Sequence, residues 1–98
     1  MSRTLYRFAY TPTLTLEDRS MQVLECFNTP NVKLFSDEAM PGPVFEFPGG
    51  ERRSLDDWGE FDWLSERGFI EVDEEAGVVG PTWKGIKALR KWQRKYGR

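Results

Sequence analysis

With 98 residues, 39% hydrophobic and 31% charged, the chain is rich enough in apolar side chains for one globular domain with a modest core, which excludes a disordered segment. It holds no histidine and one cysteine, which excludes a Ser-His-Asp or Cys-His nucleophile system, an intrachain disulfide and the usual zinc sites. The net charge of −2 conceals a split: residues 1–83 carry sixteen acids against seven bases, whereas residues 84–98 carry seven bases and no acid.

No stretch approaches the apolar length needed to span a bilayer. The opening MSRTLYRF lacks the apolar run of a signal peptide, so a cytoplasmic protein is expected. Leu5 to Tyr10 reads as a short strand stopped by Pro12, with Tyr6, Phe8 and Tyr10 on one face. Thr15 offers an N-cap, with Asp18 in the capping-box position, to a helix over 16–28. Leu16, Ser20, Met21, Val23, Leu24 and Phe27 form its core stripe. Cys26 lies off that stripe, and no basic residue nearby in sequence lowers its pKa, so a structural or merely tolerated thiol is expected rather than a reactive one.

From Thr29 to Arg53 four prolines and three glycines forbid a long helix. Lys33–Phe35 and Val44–Phe47 are candidate short strands, Ser36–Met40 a single helical turn, and Gly49–Arg53 a plain turn without the Lys-Ser/Thr ending of a phosphate-binding loop. Ser54 and Asp57 then form a second capping box, opening a helix over 55–67. Leu55, Trp58, Phe61 and Leu64 face the core, and Asp56, Glu60, Trp63 and Arg67 fall on the opposite side. Gly68 ends this helix as a left-handed cap. Phe69–Val72 and Val78–Gly80 are strands of a hairpin, with Gly77 at the positive-φ position of the turn. Thr82 caps a last helix over 83–96, in which Gly85 allows close approach of a neighbour and Ile86, Leu89, Trp92 and Tyr96 share the core face.

The succession of a helix, LxxxGFI, an acidic turn and GVVxxTxKGIxxL resembles the C-terminal half of winged-helix domains. Leu64, Gly68, Phe69, Ile70, Gly77, Val78, Thr82, Lys84, Gly85 and Leu89 carry the likeness, which spans the residues from Ser54 onward. The resemblance implies an α+β, winged-helix-like single domain over 1–98, with a short N-terminal strand, a β-hairpin wing and a basic C-terminal helix. It implies a recognition helix before Gly68, a first helix at 15–28 and a second helix between 30 and 53. Winged helices bind DNA, RNA and proteins alike, so the site has to decide the function.

Two surfaces are candidates. In the recognition position stand Asp56, Glu60 and Trp63, with Arg67 the one base, and the wing Asp73-Glu74-Glu75-Ala76-Gly77 is acidic too. Such a surface repels phosphate, so these four residues are expected to contact a protein. Trp63 is either the anchor of that patch or a core residue; both readings stand at this point. The second surface is the basic face of Lys84, Lys87, Arg90, Lys91, Arg94, Lys95 and Arg98. It is either an ordinary solvated face or a site for nucleic acid, an acidic partner, or the acidic face of a second copy in a homodimer. The hairpin acids Glu71, Asp73, Glu74 and Glu75 lack the alternating spacing of a calcium loop, so no metal, cofactor or catalytic group is expected. Size and charge together suit a non-enzymatic binding protein acting through protein contacts, such as a phage-type inhibitor or adaptor of nucleic-acid machinery. The alternative is a DNA-binding winged-helix transcription regulator that uses its basic last helix.

Overall fold

Three successive strands come from the Pro- and Gly-rich middle of the chain, and they set the architecture. The structure, a computed structural model, describes residues 5–7 and 15–96. In chain order it holds β1 (Leu5–Arg7), α1 (Leu16–Phe27), β2 (Val32–Phe35), β3 (Val44–Glu46), β4 (Arg52–Ser54), α2 (Gly59–Glu66), β5 (Ile70–Asp73), β6 (Val78–Pro81) and α3 (Trp83–Lys95). The class is α+β. The strands form one sheet in the order β1-β4-β3-β2-β6-β5, antiparallel except where β1 runs parallel to β4. Residues 8–10 of the expected first strand lie outside the described residues.

α1 forms where its local signals place it. Thr15 Oγ1 accepts the Asp18 backbone N–H at 3.1 Å, and Glu17 and Asp18 sit in the first turn, where negative charge suits the helix dipole. Met21, Val23, Leu24 and Phe27 are buried, as is Ser20, whose hydroxyl is satisfied by donating to the Leu16 carbonyl at 2.7 Å. Leu16 itself stays exposed. The helix packs against α2, α3 and β6, so its stripe is the centre of the core. Phe27 meets Phe45 of β3 at 4.6 Å between ring centroids, and Val32, Leu55, Leu64, Ile70, Val79, Leu89 and Trp92 complete the cluster.

Residues 29–54 depart from the sequence expectation. Ser36–Met40 is a turn rather than a helical turn: Asp37 accepts the Ala39 N–H through its side chain and the Met40 N–H through its carbonyl, both at 2.9 Å. Gly49 and Gly50 make the expected turn at φ 97° and 91°, but Arg52 and Arg53 leave it to begin β4. Ser54 is not a helix cap. It is buried in β4, in register with Val44 of β3 and Arg7 of β1, and the pairing continues as the Leu55 N–H donates to the Pro43 carbonyl at 3.1 Å. Long-range strand pairing has overridden a local capping signal. α2 therefore starts later than expected, at Gly59, whose N–H donates to Asp57 Oδ1 at 2.7 Å. Where the winged-helix resemblance puts a second helix, the described residues form β2 and β3.

From Leu64 onward the expected caps, hairpin and last helix are present. Of the four residues expected on the core face of that helix, however, only Leu89 and Trp92 are buried. Ile86 is half-buried, and Tyr96 is 46% exposed because it lies at the C-terminal cap beyond the packed part of the helix. Gly68 takes a left-handed φ of 70°, its N–H donates to the Ser65 carbonyl at 3.0 Å, and the Phe69 N–H donates to the Leu64 carbonyl at 2.9 Å, the paired bonds of a Schellman cap. β5 and β6 pair antiparallel around Asp73, whose side chain accepts from Glu75 and Ala76, with Gly77 at φ 66°. Thr82 Oγ1 accepts the Gly85 N–H at 3.0 Å and opens α3. The same hydroxyl donates to the Gly68 carbonyl, so the end of α2 and the start of α3 are fastened at one point.

Candidate functional site

That fastening brings the C-terminal end of α2 beside the middle of α3, with the first turns of α1 across from both. Between them runs an open groove of about 600 Å³. Its apolar floor comes from Met21 of α1, Trp63 of α2, Phe69, and Ala88 and Trp92 of α3. Trp63 is half-buried, and its indole meets the Phe69 ring edge-on, with centroids 5.9 Å apart. Trp92 is only 8% exposed.

The rim is charged. The Arg67 guanidinium lies 3.8 Å from the Trp63 ring centroid and donates to the Trp63 carbonyl at 3.2 Å. Lys91 and Lys95 stand exposed on the α3 side, with exposed Glu17 and half-buried Asp18 on the α1 side. Trp92 Nε1 and the Tyr96 hydroxyl both donate to Asp18 Oδ1, at 3.0 and 2.9 Å. These bonds from Trp92 and Tyr96 hold the Asp18 carboxyl below its ordinary pKa, and the bond to Asp18 pushes the Tyr96 phenol above its own.

Of the four residues expected to make a protein contact, the structure brings two together. Trp63 and Arg67 stack at the groove. Asp56 lies exposed in the bend before α2, outside the groove lining. Glu60 is not on an exposed face at all. It is 4% exposed and ion-paired with Arg19 Nε of α1 at 3.2 Å, because α1 packs along the side of α2 that the sequence reading left to solvent.

Lys84, Lys87, Arg90, Lys91, Arg94 and Lys95 are all exposed, and none forms an ion pair with a described carboxylate. Arg98 lies outside the described residues. The sequence reading missed the cluster of Asp18, Trp92 and Tyr96. The one signal was the four-residue spacing of the two aromatics on α3, and nothing in that spacing points 74 residues back to Asp18.

Among the described residues no three His, Cys, Asp or Glu side chains stand together to hold a metal ion. Cys26 does acquire a basic neighbour from afar, Arg53 Nη1 at 3.6 Å, but burial outweighs it and pushes the thiol pKa up. Among the described residues no helix is long and apolar enough to cross a membrane. No family model, no curated protein and no solved structure matches this chain.

Proposed function

We propose that this chain is a non-enzymatic binding protein that works through protein–protein contacts, with the groove between α1, α2 and α3 as its contact site. The observation that carries this reading is the aromatic floor of Trp63, Phe69 and Trp92 bordered by the exposed cations Arg67, Lys91 and Lys95. Aromatic side chains and arginine supply most of the binding energy at protein interfaces, because they bury large apolar area while keeping a polar handle. The unit from α2 through the hairpin to α3 is then a winged-helix-like element set in a wider sheet. A small cytoplasmic inhibitor or adaptor of nucleic-acid machinery is the role that suits it.

Capture of partners from a cell lysate, with and without nuclease, tests the reading. A protein retained after nuclease treatment and lost with the double variant Arg67→Glu, Lys91→Glu supports it. Retention of nucleic acid alone overturns it. The exposed cations of α3 favour a second reading, a DNA-binding regulator in which α3 rather than α2 meets phosphate. Tight, sequence-selective duplex binding at physiological salt would put that reading first.

A further inference from the structure

The outer face of α3 adjoins the groove, with Lys91 lining both, but its stripe residues lie outside the groove lining. At about 100° per residue, Trp83, Lys87, Arg90 and Arg94, spaced by four, three and four, fall on one narrow stripe, and all four are exposed. Trp83 is 63% exposed, more than any other large hydrophobic residue among those described. The Lys87 ammonium lies 5.4 Å from its ring centroid. Lys87, Arg90, Lys91 and Arg94 border a shallow depression with Gln93, whose amide is held by Glu25 at 3.0 Å. The stripe is thus an indole followed, over about 16 Å of helix, by three cations with no acid among them.

We infer that this stripe binds single-stranded nucleic acid, one base stacking on Trp83 and the following phosphates lying along Lys87, Arg90 and Arg94. The chemistry is that of an aromatic platform joined to a cationic track. An unpaired base presents a π-face to the indole, and the neighbouring Lys87 lies within reach of the phosphate beside it. A duplex hides its base faces in the stack, so Trp83 would have no role on its outside. A duplex is also broad and rigid, whereas the cationic stripe is one helix face wide. A flexible strand can follow the stripe alone. A membrane surface fits less well, because the four stripe positions offer no aliphatic side chain to insert beside the indole.

Fluorescence anisotropy on the full chain tests this, with labelled oligothymidine, a duplex of equal length, and vesicles of mixed phosphatidylcholine and phosphatidylserine. Oligothymidine is expected to bind more tightly than the duplex. Three neutralised phosphates give a log–log salt slope of about −2, so affinity should fall roughly fifteenfold between about 50 and 200 mM salt. Trp83→Ala should weaken binding about tenfold, and the triple variant Lys87→Glu, Arg90→Glu, Arg94→Glu should abolish it. All four side chains are exposed, and an unchanged melting temperature confirms the fold of each variant. Duplex binding as tight as strand binding, indifference to Trp83→Ala, or attachment to vesicles without strand binding overturns the inference. The groove is tested separately by Arg67→Glu, since Arg67 lines the groove and not the depression on α3.

Discussion

Gly85 of α3 lies directly on the backbone of Phe69, so close that a β-carbon at position 85 would overlap the Phe69 carbonyl. Two bonds from Thr82, its hydroxyl to the Gly68 carbonyl and its N–H to the Phe69 carbonyl at 2.9 Å, draw the first turn of α3 onto the chain leaving α2, and the missing β-carbon of Gly85 leaves room for the contact. Gly85→Ala must push the helix away from rigid backbone rather than from a flexible side chain. It should cost about 2–3 kcal/mol of stability in a denaturant titration. Gly80→Ala, where a β-carbon meets open space, is the control and should change little.

Thr82 serves both helices. Its hydroxyl accepts from Gly85 and donates to Gly68. Thr82→Ala removes both bonds and should cost about 1–2 kcal/mol, at the upper end for an N-cap, whereas Thr82→Ser should keep most of the stability. Equal melting temperatures for the alanine variant and the parent would show that the caps are not coupled.

The Asp18 bonds to Trp92 and Tyr96 make stability depend on pH at both extremes. Asp18 has its pKa lowered by folding, so its contribution is present above the ordinary carboxyl value near 4 and is lost as pH falls through the folded value. Tyr96 has its pKa raised by folding, so its contribution is present below the ordinary phenol value near 10 and is lost as pH rises through the folded value. Melting curves should therefore show the parent more stable than Asp18→Asn through neutral pH, with the gap closing in acid. Tyr96→Phe should flatten the loss at alkaline pH. A gap between parent and Asp18→Asn that is independent of pH down to strong acid would contradict the bond assignment.

Trp63 is neither fully buried nor free, and its removal should register in two measurements. Losing the edge-on contact with Phe69 and part of the groove floor should cost Trp63→Ala about 1–2 kcal/mol of stability. That is less than the 3–5 kcal/mol or so expected of Phe27→Ala at the centre of the core. Partner binding should fall by about 2 kcal/mol or more, measured by calorimetry at a temperature where the variant remains folded. A loss as large as that of Phe27→Ala would make Trp63 a core residue.

The features legible in the sequence are those whose cause lies within a few residues. Thr15 and Thr82 cap helices because their hydroxyls reach an N–H three positions on, and Gly68 and Gly77 take left-handed φ where a side chain would strain. The core stripe of α1 and the cationic face of α3 follow from helical periodicity alone. Ser54 shows where that local reading stops. Its capping box is a sound local signal, but β3 and β1 arrive on either side and the backbone enters their ladders instead. Glu60 shows the same for the site, since its place on the helix wheel says solvent while Arg19, 41 residues earlier, makes it a buried ion-pair partner. The groove likewise exists only once α1, α2 and α3 are packed, because Met21, Trp63 and Trp92 share no spacing that a linear pattern could reveal. The caps at Thr15, Gly68 and Thr82, the hairpin turn at Gly77 and the cationic face of α3 were determined by short-range hydrogen bonding and periodicity. Strand partners, buried charge and the contact site were decided by which distant segments meet, a choice governed by the burial of the whole core.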